Sequence, residues 1–467
     1  MSSTLPARIE KDSMGNVSIP AGALFGAQTQ RAVENFPVSG HAMPAPFVQA
    51  LGLIKFAAAQ VNQDLGKLDA KLGDLIRRAA REVYEGKLTA QFPIDVFQTG
   101  SATSSNMNAN EVISNRAIQL AGGEIGSHKP VHPNDHVNMG QSSNDIVPSA
   151  IRVSVGVALK THLIPALEHL AAELEKKSAA WMGICKIGRT HLMDATPLTL
   201  GQEFSGYAAQ ARKSVTRAKQ ALAAVEELPL GGTAVGTGIN CHPEFPRRVC
   251  AILAQETGIG FREAANHFEA QAANDAGVEV SGQLKTIAAS LTKIGNDIRL
   301  LGSGPRCGIG EIQIPDLQPG SSIMPGKVNP VMSEMLVQAC IYVMGLDVSN
   351  TLAGRDGHYE LLVTLPLMCH GLHEQIRVLS NASRLFTDRC VAGLEPDEAR
   401  CKELVERSLM LVTALNPKIG YDKAAEVAKT AHKENKTLRQ VVIEKKLIDP
   451  AELDKLLDPM SMTGLKK

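Results

Sequence analysis

The sequence has few aromatic residues and no excess of charge of either sign. Of its 467 residues, 4% are aromatic, with a single tryptophan, whereas 44% are hydrophobic. Its 48 basic and 48 acidic residues give zero formal net charge. This balance excludes the electrostatic footprint that nucleic acid or an anionic membrane requires. Any anion that the protein binds must therefore be recognised locally.

Long uncharged apolar runs are also missing. None approaches the roughly 20 residues that span a bilayer. The first residues lack the basic and then apolar pattern of a signal peptide. We therefore expect a cytoplasmic protein that contacts neither membrane nor nucleic acid.

The cysteines lack the spacing of a metal site. None of the eight forms a C-x-x-C pair or a similar motif, and they stand at Cys185, Cys241, Cys250, Cys307, Cys340, Cys369, Cys390 and Cys401. We expect reduced, mostly buried thiols, with no iron–sulfur cluster and no other metal or cofactor.

Helical periodicity runs through most of the chain. Apolar residues recur at helical intervals from Phe47 to Leu88, which predicts two helices. Residues 269–301 contain no proline and have a seam in steps of three and four, which predicts a helix about 50 Å long. Such a rod favours packing between subunits, and a lone coiled-coil pair is the alternative. Helices are also predicted over 331–352 and over 360–386, the latter with a kink at Pro366.

These patterns predict an all-α, mainly helical fold with a long central helical bundle and smaller terminal domains. The expected domains are 1–139, a mixed helical domain; 140–395, the bundle; and 396–467, a small helical domain with breaks at Pro417, Gly420 and Pro450. Residues 465–467 are expected to be disordered. The glycine-rich segment 231–240 is not a dinucleotide fingerprint, because no strand precedes it and its spacing is wrong.

The most informative stretch is the loop Gly320-Ser321-Ser322-Ile323-Met324-Pro325-Gly326-Lys327-Val328-Asn329-Pro330. Its glycines permit positive φ, its serines offer hydroxyl and N–H groups, and it contains one lysine. Asn329 followed by Pro330 predicts an N-cap and a first helical residue. A helix N-terminus attracts anions. On composition alone, an ordinary surface loop is the alternative.

This loop resembles the signature loop of the fumarase/aspartase superfamily, and its ending, Pro-Gly-Lys-Val-Asn-Pro, is similar to that of class II fumarases. Aspartate ammonia-lyases typically carry Ala in place of Gly326 and Gln in place of His191. The resemblance extends over nearly the whole chain. It implies that the protein hydrates fumarate to (S)-malate as a homotetramer whose active sites are shared between subunits.

Residues expected to bind the dicarboxylate lie in four polar segments at predicted helix starts. By resemblance, the substrate-binding residues are Ser101, Thr103, Ser142, Ser143, Asn144, Thr190, Ser322, Lys327 and Asn329. Small hydroxyl groups before a helix are otherwise ordinary caps. Ala102 and Met139-Gly140 depart from the family pattern, in which Gly and Lys-Ser are common. His132, Asn134 and Asp135 are expected at a secondary dicarboxylate site, and a metal site is disfavoured there because no third ligand has a convincing spacing.

The expected catalytic residues are Ser321, His191 and Glu334, all assigned by resemblance. Ser321 would remove the carbon-bound proton of malate, while Lys327 and Asn329 stabilise the charge that builds on the neighbouring carboxylate. His191, which we place before a helix start at Thr196-Pro197, would act through a water on the other face. Glu334 would pair with it, or would be a first-turn glutamate favoured by the helix dipole.

Two other functions remain open at this point. One is an ammonia-lyase of the same superfamily, which Gly326 and His191 disfavour. The other is a non-catalytic structural protein on the same scaffold, which the presence of Ser321, Lys327, Asn329 and His191 disfavours.

Overall fold

A computed structural model describes residues 7–465. Of residues 465–467, for which disorder is predicted, residues 466 and 467 lie outside this range. The described chain is mainly helical, as predicted. Its α-helices are α1 Ala27–Asn35, α2 Ala45–Asp64, α3 Ala70–Tyr84, α4 Thr103–Leu120, α5 Ser143–Ala158, α6 Ile164–Ala180, α7 Leu200–Ala224, α8 Phe245–Thr257, α9 His267–Ala272, α10 Asp275–Leu301, α11 Val331–Arg355, α12 Leu365–Arg389, α13 Glu398–Arg407, α14 Asn416–Ile419, α15 Tyr421–Glu434, α16 Leu438–Glu444 and α17 Pro450–Leu456.

The strands are short and pair two by two. They are β1 Ala7–Asp12, β2 Gly15–Pro20, β3 Cys185–Thr190, β4 Met193–Thr199, β5 Glu227–Leu228, β6 Arg262–Glu263, β7 Ile312–Gln313, β8 Gly357–His358, β9 Leu361–Leu362 and β10 Glu395–Pro396. The hairpins β1–β2, β3–β4 and β8–β9 are antiparallel, as is the pair β7–β10, whereas β5 and β6 are parallel.

The chain forms two compact units, each assembled from three separate stretches. The first consists of Met1–Pro165, Thr216–Ala288 and Ile341–Ser380, and the second of Ala166–Val215, Ala289–Cys340 and Asn381–Lys467. The division into domains 1–139, 140–395 and 396–467 stays a prediction.

The core of the first unit is built on α2, which packs against α3, α5 and α8. Leu51, Ile54, Ala58 and Val61 form its apolar stripe, and all four are buried. The two helices predicted between residues 47 and 88 are thus confirmed as α2 and α3.

Residues 143–180 form a nearly continuous helical stretch, with a π-helical turn at Leu159–Leu163 between α5 and α6. Pro165 follows this turn. Because proline has no N–H to donate to the carbonyl four residues earlier, the regular ladder is interrupted there.

The long proline-free helix is shorter than predicted. Its seam is confirmed, since Val280, Leu284, Ile287, Leu291, Ile294 and Ile298 are all buried. The start near residue 269 is wrong, because extended backbone at Ala273 separates α9 from α10. The carbonyl of Asn274 then accepts hydrogen bonds from the N–H groups of Gly277 and Val278, which begins α10. Asparagine is favoured at such a helix start.

The predicted kink at Pro366 is also wrong. Residues 357–362 form the β8–β9 hairpin, and α12 begins only at Leu365. Pro366 therefore lies in the first turn, where its missing N–H removes no intrahelical bond.

The C-terminal part of the second unit has its own small core. Val405, Leu415, Val427, Val441 and Leu453 bring α13, α15, α16 and α17 together with the 3₁₀ segment 409–415. Gly420 separates α14 from α15, as predicted, with φ of +80°. Pro417 and Pro450 lie in the first turns of α14 and α17 rather than between helices.

Within residues 7–465, two helical stretches are long and apolar enough to cross a membrane by length and composition alone. In the most apolar 18 residues of the first, Ser143–Ala180, 72% of the stretch is buried inside the protein, as in a core helix. In the corresponding stretch of the second, Val331–Arg355, 28% is buried.

Candidate active site

The loop 320–330 is closed on itself by Gly320. The N–H of Gly320 donates to the carbonyl of Lys327 at 2.7 Å, and the Asn329 side-chain amide donates to the carbonyl of Gly320 at 2.9 Å. A Cβ at position 320 would lie 2.7 Å from the Lys327 carbonyl oxygen. Only glycine therefore allows this closure without a shift of the backbone.

The prediction that the loop ends at a helix N-terminus is confirmed, but the predicted capping role of Asn329 is wrong. Helix α11 begins at Val331, the predicted start of the helix, so Pro330 is not its first residue. The Asn329 side chain is already used inside the loop, because its Oδ1 accepts from Lys327 Nζ at 2.6 Å while its Nδ2 contacts Gly320. Asn329 thus orients the lysine instead of capping the helix.

The Ser321 hydroxyl oxygen accepts two backbone hydrogen bonds within the loop. The donors are the N–H groups of Ile323 and Met324, at 3.2 and 3.0 Å from Oγ. Such donors stabilise negative charge on the oxygen. Ser321 and Lys327 line the same depression of about 450 Å³, so the structure brings these two predicted residues together. Ser322 is exposed in the same loop.

His191 lies at the tip of the β3–β4 hairpin. His191 and Leu192 are the two turn residues and have φ of 57° and 62°, the conformation of a type I′ turn. Non-glycine residues at positive φ carry strain, which is frequent at functional sites. Thr190, at the end of β3, is exposed like His191. The helix start predicted at Thr196-Pro197 is wrong, since both residues belong to β4, an edge strand that tolerates proline.

A buried ionic cluster anchors this hairpin. Glu311 is fully buried and accepts two hydrogen bonds from the Arg189 guanidinium at 2.9 and 3.0 Å. Lys186, also buried, lies between Glu311 at 3.3 Å and Glu203 at 2.5 Å. Because Lys186 and Arg189 are both in β3, the cluster fixes the strand that leads to His191.

The predicted pair of His191 and Glu334 is not joined within one chain. Glu334 lies in the first turn of α11, where it also suits the helix dipole. Within residues 7–465, the side chains of His191 and Glu334 form no hydrogen bond or ion pair. Their pairing stays a prediction.

In the first unit, Ser101 and Thr103 lie at the N-terminus of α4. Their hydroxyl groups are 2.8 Å apart and hydrogen-bonded to each other. Capping is done by other side chains, since Thr99 accepts from the Ser104 N–H and Gln98 accepts from that of Ser105. The two predicted binding hydroxyls are therefore not ordinary caps of α4.

Ala102, between them, has the conformation that glycine favours. It is fully buried and left-handed, with φ of 51° and ψ of 30°. The substitution of Ala for Gly thus keeps a glycine-type backbone at the cost of local strain.

Ser142, Ser143 and Asn144 open α5. Ser142 is the N-cap and forms a capping box with Asp145, whose Oδ1 accepts from the Ser142 N–H at 2.9 Å. Ser143 Oγ accepts from the Asn106 amide at 3.3 Å, and the Asn144 amide donates to the Ala234 carbonyl at 2.8 Å. Hydrogen bonds to Asp145, Asn106 and Ala234 therefore fix the positions of these three residues.

Asp145 also organises the glycine-rich segment 231–240. Its Oδ2 accepts from the N–H groups of Gly231 and Thr233 at 2.9 and 3.1 Å. Burial raises the pKa of Asp145, and the N–H donors oppose this shift. No role is predicted for Asp145 from the sequence, although Ser-x-x-Asp before an apolar helix is a signal for a capping box.

The predicted secondary-site residues lie on a π-helical turn at 133–137. His132 Nδ1 accepts from the N–H groups of Asn134 and Asp135 at 3.3 and 3.1 Å. His132 is half-buried, whereas the side chains of Asn134 and Asp135 are exposed. His132 therefore uses Nδ1 for the turn and has only Nε2 for a ligand. No cluster of three or more metal-ligating side chains occurs within residues 7–465.

Comparison with known proteins identifies the family. The lyase family model matches residues 15–345, and the model of the fumarase C C-terminus matches residues 411–464. A class II fumarate hydratase from Nitrosomonas europaea is 53% identical over 456 residues, which cover 98% of this chain and 99% of that protein. The chain belongs to the class II fumarate hydratase family.

Other relatives agree. The class II fumarate hydratase of Neisseria meningitidis is 52% identical over 455 residues, 97% of this chain and 98% of that protein. The crystal structure of class II fumarase from Schistosoma mansoni superposes with a TM-score of 0.96 at 41% identity, covering 98% of this chain and 99% of that chain. The class II fumarate hydratase fold therefore extends over the full chain, and the predicted family is confirmed.

Proposed function

We propose that the protein catalyses the reversible hydration of fumarate to (S)-malate. The observation that carries this proposal is the identity of about half of all residues to class II fumarate hydratases over nearly the whole chain. The loop around Lys327 supports it, because a fixed ammonium beside N–H and hydroxyl donors suits a small dianion.

The proposed mechanism begins, in the direction from malate, with proton removal from carbon by Ser321. A serine acts as a base only when its alkoxide is stabilised, and the N–H groups of Ile323 and Met324 are positioned to do so. The electron pair of the broken C–H bond moves onto the neighbouring carboxylate. Lys327 and Asn329 would stabilise the resulting doubly charged intermediate.

The hydroxyl group on the adjacent carbon then leaves as water, because protonated His191 donates a proton to it through a bound water. In the hydration direction a water attacks this carbon, and neutral His191 accepts its proton through the same bound water. Glu334 would orient the imidazole and raise its basicity. The substrate carboxylates would be bound by Ser101, Thr103, Ser142, Ser143, Asn144, Thr190 and Ser322. A second dicarboxylate site would be formed by His132, Asn134 and Asp135.

A homotetramer with shared active sites is part of this proposal. Helix α11 supports it, because Ile341, Tyr342, Val348 and Leu352 are 61%, 49%, 60% and 48% exposed in the single chain. Large apolar side chains exposed along one helix indicate a protein interface. Native mass spectrometry should give four chains, whereas a stable, active monomer would contradict the shared site.

We also propose a cytoplasmic location. All eight cysteines are free thiols, as a reducing compartment requires. Fractionation of the source cells with an antibody to the protein would test this, and recovery in a membrane or secreted fraction would contradict it.

The activity is tested by ultraviolet absorbance of fumarate with purified protein, with and without ammonium. Loss of absorbance without ammonium supports hydration. A requirement for ammonium would indicate an ammonia-lyase, and no change in either case a non-catalytic protein. The proposed steps use side chains alone, so prior treatment with a chelator should leave the rate unchanged.

A further inference from the structure

Lys55, in α2, lies at the centre of a hydrogen-bond cluster beneath the turn that precedes α5. Its Nζ donates to Asn138 Oδ1 at 2.8 Å and to Gln141 Oε1 at 2.9 Å. The Asn138 amide in turn donates to the Gln141 carbonyl at 3.2 Å. One ammonium thus ties together both ends of the turn 138–141.

The cluster continues into the proposed binding segment. The Asn106 amide contacts both Asn138 Oδ1 and Ser143 Oγ at 3.3 Å. Gln141 directly precedes Ser142, the N-cap of α5. Lys55 is therefore connected to Ser143 through the side chains of Asn138 and Asn106. It is connected to Ser142 through Gln141, the preceding residue of the backbone.

The surroundings of Lys55 indicate that its burial destabilises the fold. Its side chain is fully buried, and both of its acceptors are neutral amides. Across the described chain no carboxylate lies within ion-pair distance of its Nζ, and the nearby Asp145 is occupied by backbone N–H groups. Burial accordingly lowers the pKa of Lys55 to about 7, against the opposing charge of Asp145. A buried charge without a directly bonded counterion is destabilising, and an apolar residue would stabilise the fold more.

We propose that Lys55 is a positioning residue for the dicarboxylate: it holds Asn138 and Gln141 so that Ser142, Ser143 and Asn144 present their polar groups to a substrate carboxylate. This inference rests on the proposed function. The positive charge of Lys55 also favours a dianion bound above the turn, because charges interact more strongly in a poorly hydrated interior.

The test is the steady-state kinetics of Lys55→Met, which keeps the length of the side chain and removes its charge and donors. The KM for fumarate should rise about ten- to a hundredfold, the cost of hydrogen bonds to a charged group, with kcat within about threefold of the native value. The affinity for succinate, measured by calorimetry, should fall by a similar factor. An unchanged KM with a lower kcat would indicate a purely structural role and overturn the proposal.

Lys160→Met is the matched control. Lys160 also lies in the first unit and donates to two oxygens, the carbonyls of Thr257 and Gly258, but its hydrogen bonds are exposed. Its KM should remain at the native value. If Lys55→Met does not fold, Gln141→Met, which removes one of the two acceptors, must raise KM, and a native KM there would refute the proposal. Inactive native protein would instead refute the proposed function.

Discussion

Lys327 Nζ donates to Asn329 Oδ1 at 2.6 Å, and the same asparagine holds the carbonyl of Gly320 through its Nδ2. The lysine at the proposed centre of charge stabilisation is thus oriented by the residue that closes the loop. The position of the Lys327 ammonium therefore depends on the closure of the loop by Asn329.

Lys327→Met should therefore lower kcat/KM for fumarate by about a thousandfold, the cost of removing a preorganised group that stabilises developing charge. Asn329→Leu should have a smaller effect in the same direction, because the lysine remains but is no longer oriented. Lys429→Met, at an exposed position of α15, is the control and should keep native kinetics. A Lys327→Met enzyme within threefold of native kcat/KM would exclude the assigned role.

Much of this loop could be predicted from sequence, and the reason is local. Two glycines, two prolines and a following apolar helix specify a turn that ends at a helix start. The capping role of Asn329 was wrong because a side chain that can cap can also bond within the loop, and periodicity does not decide between the two.

The role of Lys55 is not predicted from the sequence. This lysine follows Leu51 by four residues, within the buried stripe of α2. A lysine on the apolar face of a predicted helix is a signal, available from the sequence, of a buried charge with a specific role. Its acceptors, Asn138 and Gln141, are more than 80 residues away in sequence, and no spacing rule connects them.

The His191 hairpin was missed for a different reason. Type I′ turns favour Asn-Gly or similar pairs, whereas this turn is His191-Leu192. Tertiary contacts therefore override the local preference. One such contact, which holds β3, joins Arg189 to Glu311, about 120 residues away in sequence.

Glu311→Ala should destabilise the protein by about 3–5 kcal/mol, because it leaves the buried Lys186 and the partly buried Arg189 without their shared carboxylate. The free energy of unfolding in urea measures this. Glu175→Ala breaks the ion pair with Arg212, whose side chains are 46% and 45% exposed, and should cost at most about 1 kcal/mol. Equal losses in the two variants would contradict the structural importance of the buried cluster.

Ala102 predicts an unusual mutational pattern. Ala102→Gly should change the free energy of unfolding by less than about 1 kcal/mol, because relief of left-handed strain offsets the lost methyl group and added backbone entropy. Ala102→Val should be destabilising by more than about 2 kcal/mol, since a β-branched residue does not fit positive φ in a buried site. Thermal unfolding compares the two. A well-folded valine variant would show that this backbone is not constrained.

His373 gives a pH dependence of stability. It is buried beside Ser154, with its Nε2 2.8 Å from the serine hydroxyl. Burial, helped by His370, lowers the pKa of His373 to about 4. An unfolded histidine binds a proton near pH 6.5, so the unfolded state is favoured progressively as pH falls from about 6.5 towards 4, and there is no such effect above 6.5.

The loss of stability from pH 7 to pH 5 should therefore be smaller in His373→Gln than in the native protein. Urea unfolding at the two pH values measures it. An identical pH dependence in both proteins would show that His373 is not responsible.

The most direct test of the account is the turnover of fumarate by Ser321→Ala. The affinity of the same preparation for succinate is measured alongside it. Removal of the base should lower kcat by about a hundredfold to ten-thousandfold, with the far-ultraviolet circular dichroism unchanged and the affinity for succinate within about tenfold of native. Turnover close to the native rate in a correctly folded Ser321→Ala protein would contradict the claim that this serine removes the carbon-bound proton.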